Sequence, residues 1–382
     1  MDFQPDDVQQ AIQAAARAVA RERIAPGARE RDRTGHFPAE EIRELGRLGL
    51  LGTTIPEALG GTGAGTVAYA LAMMELAAAD CSVAVTASVT NMVNETIARW
   101  GTEEQKARCC PRLSSGEWLA GAFGLSEPHA GSDPAAMRTR AERRGDRWVL
   151  NGEKQWITSG DVAGVIVVWA RTDDAGGAGK GISAFLVERG TPGLSAGRHE
   201  AKMGQRSSST VPLVLEDCAV PGGAMLGRPG DGMRIALAAL DGGRIGIGAQ
   251  AVGVMDAALE ASVRYARERQ AFGRPIARHQ AIAFQLADVA VARDAARLLV
   301  LRAAMLKEAG RPFSREAAMA KLFASEAAQR AVATGVQVHG GYGYTEEFVV
   351  ERLYRDARVQ TIYEGTSEIQ RLVISRDLLR DP

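Results

Sequence analysis

The strongest constraint on the fold is a change in the spacing of apolar residues, which happens twice. From residue 5 to about 118 they recur at helical spacing. Asp6 and Asp7 precede an alanine-rich amphipathic run to Ile24, and Pro38 stands in the first turn of a helix carrying Ile42, Leu45 and Leu48. Gly60–Gly63 reads as a loop, alanine-rich helices follow from about Val67 to Trp100, and Thr102 with Gln105 forms a capping box before a short helix that Pro111 interrupts. From about Gly121 the pattern becomes short β-type runs bounded by Gly, Pro and Asp: Val165–Trp169, Ile182–Val187 and Val211–Leu215. Trp148–Leu150 runs into Asn151-Gly152, a strong hairpin dipeptide. Pro221-Gly-Gly and Gly227–Gly232 read as the linker out of this region. From about Asp231 the helical period returns. It carries Met255, Leu259 and Val263, then Ile282, Leu286, Val289, Ala296 and Leu299 up to Gly310, then Ser314 to about His339. The expectation is an N-terminal helical domain (1–120), a middle β domain of sandwich or barrel-like form (121–228), and a C-terminal four-helix bundle (229–382).

Charge excludes some partners. Lys+Arg and Asp+Glu both number 46, for a formal net charge of zero, so nothing favours nucleic acid or an anionic membrane. The acidic start, Met-Asp-Phe-Gln-Pro-Asp-Asp, lacks the form of a signal peptide, and no apolar run approaches the roughly 20 residues that span a bilayer. Cys81, Cys109, Cys110 and Cys218 show no metal-binding or disulfide spacing, so no metal is expected and a reducing cytoplasm is the simplest compartment. No GxGxxG follows a strand, which leaves a Rossmann domain unsupported.

Six segments carry residue types suited to chemistry, each beside an ordinary structural reading. In Thr361-Ile-Tyr-Glu364-Gly365-Thr-Ser-Glu-Ile-Gln-Arg371, a carboxylate lies in a short extended stretch between two helical patterns. The upstream one places Val350, Leu353, Tyr354 and Ala357 on one face; the downstream one opens with Ser367 and Gln370 at capping-box spacing. Glu364 is either a presented base or a favourable acid before a helix. Leu125–Asp133 reads equally as a ligand-facing loop or a solvated turn. Trp156-Ile-Thr158 reads as a strand with an aromatic anchor. In Asp241-Gly242-Gly243-Arg244, at the start of a long helix, two costly glycines suggest close approach by another group. Arg267–Pro275, with Gln280 beyond, and Gln337–Gly341 read as helix ends. Lys202-Met-Gly204 with Ser207–Thr210 receives no catalytic role.

Taken together and in this order, the segments resemble the acyl-CoA dehydrogenase family, in its short-chain or branched-chain branch. The fold of that family matches the helical, β, helical order above. The resemblance implies α,β-dehydrogenation of an acyl-CoA to the trans-2-enoyl-CoA, with Glu364 removing the α-proton and a hydride passing to N5 of FAD. Some branches place the catalytic carboxylate near Gly243; the glycines here leave Glu364. It implies that Phe123, Leu125, Ser126, Gly131 and Ser132 form a first flavin loop, and that Trp156, Ile157 and Thr158 pack on and hydrogen-bond the ring. Arg269, Phe272 and Gln280, with Gln337, Val338, His339, Gly340 and Gly341, would reach the FAD of a neighbouring subunit, and Thr366, Ser367 and Glu368 would complete the cofactor site. Ser132, Asp241, Arg244, Tyr363 and Gly365 would meet the substrate. His129 departs from the usual small or polar residue and receives no role. An electron-transfer flavoprotein as acceptor and a homotetramer or dimer are implied too. The rivals are an acyl group on a carrier protein, oxygen as acceptor, and a binding protein of the same fold without the chemistry.

Overall fold

The computed structural model describes residues 4–173 and 180–379. Six helices open the chain: α1 (Asp7–Val19), α2 (Ala28–Thr34), α3 (Ala39–Arg47), α4 (Gly65–Ala79), α5 (Cys81–Trp100) and α6 (Glu103–Ser114). Three of the starts are capped by side chains. Asp6 with Gln9, and Thr102 with Gln105, form capping boxes at α1 and α6, and Asp80 caps α5 through the Ser82 amide. Helix α4 is apolar around its circumference and is buried on nearly every side, as a central helix must be. Pro111 does not interrupt α6 as expected. The helix continues to Ser114, because Cys109, Cys110 and Leu113 bury that turn and the Asn94 amide donates to the Cys110 carbonyl.

The middle segment is an eight-stranded sheet of β1 (Gly121–Gly124), β2 (Arg140–Arg144), β3 (Arg147–Thr158), β4 (Val165–Arg171), β5 (Ile182–Glu188), β6 (Leu194–Ala196), β7 (Thr210–Pro221) and β8 (Met225–Leu226). Its order is β6-β7-β3-β2-β4-β5-β8, with β1 parallel to β4. The β3–β7 half faces the β4–β5 half across one core. Leu150, Ile157, Val211 and Leu213 meet Ile166, Val168, Phe185 and Val187 there, so the sheet curls around its own core while β6 and β8 remain its edges. Asn151-Gly152 is not a hairpin turn. It lies within β3 at a register shift, where the Asn151 side chain pairs with Asp217; the turn between β2 and β3 is Gly145-Asp146. Pro221-Gly-Gly leads not to a linker but into β8, which pairs with β5.

Three long helices, α7 (Gly232–Glu268), α8 (Gln280–Glu308) and α9 (Ser314–His339), form the last bundle. A two-stranded ribbon, β9 (Gln270–Ala271) and β10 (Arg274–Pro275), lies between α7 and α8; α10 (Val349–Ala357) and α11 (Ser367–Leu378) finish the chain against α9. Glycines let these helices approach: a Cβ on Gly253 would overlap the Met74 carbonyl of α4. One apolar core therefore runs from α1 and α4 through α7, α8 and α9. Four expectations are corrected here. Asp241–Arg244 lies well inside α7 and not at its start, so no helix dipole acts on Asp241. Tyr354 is 45% exposed, while Val350, Leu353 and Ala357 are buried. The cap of α11 is Thr366, which accepts from the Ile369 amide, and not Ser367. Glu364 is not extended; it has φ 52°. Among the described residues no helix is long and apolar enough to cross a membrane.

Candidate active site

The site is built around a reversal of the chain. After α10 comes a single 3-10 turn (Arg358–Thr361), and then Glu364 at φ 52° and Gly365 at φ 93° turn the backbone through two left-handed residues. That conformation costs a non-glycine residue about 1 kcal/mol or more, so it persists only where its surroundings hold it. They do. Gln370, buried on α11, donates to the carbonyls of Glu364 (3.3 Å) and Gly365 (2.8 Å), and Lys321, buried on α9, donates to Gly365 O at 2.8 Å.

The held carboxylate lies against α7. A Cβ on Gly243 would overlap Glu364 Oε2 and come within 2.9 Å of Met92 Sδ from α5, so a larger residue there would displace the carboxylate. Oε2 is buried with no hydrogen-bond partner. Burial pushes the Glu364 carboxyl up to about 7, against the opposing pull of Lys321 and Arg244. Both cations act at a distance, because each bonds elsewhere: Lys321 to the Gly365 carbonyl and Arg244 to Asp241 at 2.5 Å. Asp241 also accepts from Ser314 Oγ (2.9 Å). Burial raises the Asp241 carboxyl and lowers the Arg244 guanidinium from their ordinary values, each opposed by the other. Burial likewise lowers the Lys321 ammonium to about 8. Tyr363 is partly buried, its hydroxyl 3.5 Å from Gln250 Oε1. A carboxylate with an orphan oxygen, titrating near neutrality beside an opening made by glycine, is equipped to take a proton from a neutral organic acid.

The Leu125–Asp133 loop is anchored by a buried pair. Glu127 accepts from Lys154 Nζ (2.8 Å), from the Thr139 hydroxyl and from the Arg138 and Thr139 amides. Burial pushes the Lys154 ammonium down to about 8. Burial pushes the Glu127 carboxyl up, but Lys154 and the donors outweigh it and leave it low. The anchor leaves Ser126 half-buried and Gly131 and Ser132 exposed, with Ser126 O accepting from the Gln155 amide at 2.9 Å. A second register shift in β3, between Lys154 and Ile157, turns Trp156 out at φ 63° and 61% exposed. Ile157 points into the sheet core, leaving only its backbone for a ligand; Thr158 is half-buried at the strand end. Phe123 packs on Trp169 at 4.2 Å between centroids, and Leu125 is buried beside Met137 and Val89, so both serve as walls.

A separate pocket of about 530 Å³ brings together Arg269, Val338, His339, Gly340 and Gly341 with Tyr265, Ile276, Tyr342 and Thr345. His339 is buried, stacked on Tyr265 at 4.3 Å and bonded to Gly335 O; burial lowers its pKa, which leaves a neutral wall. Phe272 stands at φ 53° and 96% exposed, Gln337 is exposed, and Gln280 begins α8; none of the three lines this pocket. Along α7 the pocket lies roughly 40 Å from Gly243, at 1.5 Å per residue. Thr366, Ser367 and Glu368 line another, of about 310 Å³, with Glu326, Gln329, Arg358, Thr361 and Ile362. The residues fit a flavin dinucleotide. An exposed tryptophan and exposed hydroxyls suit a polar aromatic ring, the buried Ser367 Oγ lacks a partner, and Arg269 suits a diphosphate.

Sequence reasoning missed Lys321, Met92 and the Glu127–Lys154 pair, and took Gln370 for half of a capping box when it instead holds the Glu364 and Gly365 carbonyls. Lys321 and Met92 lie on helices with ordinary patterns, and only the pair carried a signal, an acid within a singled-out loop.

Comparison with known proteins gives the same frame along the chain. Sequence models of the N-terminal, middle and C-terminal domains of acyl-CoA dehydrogenases match residues 6–117, 122–218 and 230–379. The human mitochondrial short-chain specific acyl-CoA dehydrogenase is 49% identical over 365 residues, 95% of this chain and 88% of that protein. The solved butyryl-CoA dehydrogenase of Megasphaera elsdenii superposes with a TM-score of 0.97 at 43% identity, covering both chains fully. A solved chain from a structure concerning the electron transferring flavoprotein of Acidaminococcus fermentans superposes at 0.98 with 44% identity, again over both chains. With its whole length matched in sequence and fold, the chain belongs to the acyl-CoA dehydrogenase family.

Proposed function

We propose that the protein catalyses α,β-dehydrogenation of an acyl-CoA thioester, with Glu364 as the base. The observation that carries this reading is the Glu364 carboxylate itself: held by Gln370 and Lys321, unpartnered at Oε2, seated over Gly243 and titrating near 7. A thioester α-carbon is a weak acid, and an ordinary glutamate near pKa 4.3 is too weak a base for it. Burial narrows that gap from the protein side, and a bound acyl chain that excludes water narrows it further. By the family resemblance, the Glu364 amide would donate to the thioester oxygen as charge develops there. By the same resemblance, Arg244, Asp241, Ser132, Tyr363 and Gly365 would contact the substrate.

FAD, when bound, supplies the hydride acceptor. Ser126, Ser132, Trp156 and Thr158 of one subunit would hold its ring and Thr366–Glu368 would complete the site. Arg269 and the Gln337–Gly341 segment lie too far along α7 to serve the same base, which favours a second copy as their user. Helix α8 offers that copy a surface: Phe284, Val291, Leu298 and Met305 are exposed and seven residues apart, a stripe of the kind that packs on another helix. A homotetramer or dimer follows from this reading. An electron-transfer flavoprotein is the proposed acceptor, by likeness to the A. fermentans chain, and four buried, unpaired cysteines suit a reducing cytoplasm.

The test is anaerobic. Acyl-CoAs of increasing length and branching are added to the purified yellow protein, and bleaching of the oxidised flavin by one length class is the expected result. A yellow protein that no CoA ester bleaches, but an acylated carrier protein does, moves the substrate to the carrier. A protein that binds no flavin overturns the reading.

A further inference from the structure

The Lys202–Thr210 segment, left without a role above, meets the chain beside the base. Gln205 is buried at φ 47°, a left-handed conformation for a residue with a long side chain. Its N–H donates to Asp356 Oδ1, its Nε2 donates to the Asp356 carbonyl at 3.2 Å, and the same Nε2 lies 3.4 Å from the Tyr363 hydroxyl. Gly204 beside it packs so closely on the Arg355–Asp356 backbone that no Cβ fits. Arg355 spreads over three parts of the chain: both oxygens of Asp32 from α2 (2.6 and 3.0 Å), Glu351 of α10 (2.6 Å) and the Met203 carbonyl (3.2 Å). Asp356 is itself buried, so water does not compete for these bonds. The first helices, the segment between β6 and β7 and the last helices are thus tied at one node, seven residues before Tyr363.

A strained residue held by several bonds in a buried node points to a geometric task. We propose that Gln205 is a positioning residue for the base. By holding Tyr363 against the segment between β6 and β7, it fixes the two left-handed residues that present Glu364, so that segment and the bundle set the position of the carboxylate jointly. The catalytic consequence rests on the reading of Glu364 given above; the positional one does not.

The test compares wild type with Gln205→Ala, Tyr363→Phe and the double variant, all as FAD-loaded protein. Hydrogen exchange is followed in the peptide spanning residues 359–366, together with kcat, KM and the acid limb of the kcat–pH profile. Each single variant is expected to speed exchange in that peptide by about tenfold, the worth of one buried hydrogen bond. Exchange in α7 and α9 stays unchanged, kcat falls, the pH limb moves, the KM of Gln205→Ala holds within about twofold, and the double variant is no worse than the singles. Unchanged exchange at 359–366, or additive losses in the double variant, overturns the proposal. Should Gln205→Ala fail to fold, Tyr363→Phe decides alone, because it removes only a hydroxyl. A wild type that turns over no acyl-CoA defeats the functional reading, and the exchange result still decides the positioning role.

Discussion

Lys321 Nζ lies 2.8 Å from the carbonyl oxygen of Gly365, and through that one bond a cation buried on α9 both holds the active-site turn and sits near its carboxylate. The two jobs oppose each other in energy. Burying the ammonium costs several kcal/mol unless the group is well satisfied, and its pKa falls to about 8 as a result. In return, its charge opposes the burial that drives Glu364 upward. The base is thereby kept near neutrality and not pushed into a range where it would stay protonated.

Replacing Lys321 with Met tests this directly. Removing the cation lets burial act on Glu364 with only Arg244 opposing it, so the acid limb of the kcat–pH profile moves above about 7. The Gly365 carbonyl keeps Gln370 as a donor but loses Lys321, at a cost of about 1 kcal/mol, which appears as faster thermal unfolding of the turn and a lower kcat. A limb that moves down or stays in place would show that Lys321 does not govern the base.

Glu364→Gln should retain FAD and acyl-CoA binding and lose turnover by several orders of magnitude, since the amide that replaces the carboxylate against Gly243 cannot take up the proton. Stability gives a second, independent check. The folded pKa of Glu364 is raised, so its stabilising share is complete below the unfolded value near 4.5 and is lost as pH rises through about 7. Above that pH wild type should be less stable than the Gln variant by on the order of 1–3 kcal/mol, measured by urea unfolding at pH 5 and pH 8. Equal stability at both pH values would show that the carboxylate is not buried in solution.

Gly243→Ala adds one methyl at the point where Glu364 Oε2 and Met92 Sδ already meet the helix. The carboxylate must move, and a displacement of about 1 Å from the reacting carbon costs on the order of 100-fold in rate. Alanine also favours helix by about 1 kcal/mol, so stability should hold or rise while kcat falls. That divergence, read from melting and steady-state rates on the same sample, separates a spatial role of Gly243 from a general defect.

The fold was legible wherever local chemistry alone decides. Ser314 to His339 matches its helix end to end, and the Thr102–Gln105 box opens α6 as read. Reading failed where distant residues intervene. Asn151-Gly152 has the signature of a turn, but Asp217 captures the Asn151 side chain and a bulge absorbs the irregularity. Glu364 looked extended because nothing nearby in sequence reveals that Gln370 and Lys321 hold it left-handed. The glycines at 242 and 243 did announce a close approach, and the group approaching Gly243 is the base itself. A glycine inside a helix reports that something is near; a lysine inside a helix reports nothing until its carbonyl partner is known.

The exposed face of α8 supports the last prediction. Phe284, Val291, Leu298 and Met305 lie two turns apart on one side of a 29-residue helix, and exposing four such side chains to water is unfavourable by roughly 1.5–3 kcal/mol for each one left unburied. A second copy covering this stripe would also bring its Arg269 and His339 pocket toward the cofactor site of the first. Glu at both Val291 and Leu298 places buried like charges at the contact, so light scattering should show smaller particles than wild type. If the Arg269 pocket serves the neighbouring subunit's FAD, flavin occupancy must fall in step with dissociation and recover at high protein concentration. A dissociated variant that keeps full flavin would instead place the whole cofactor within one chain.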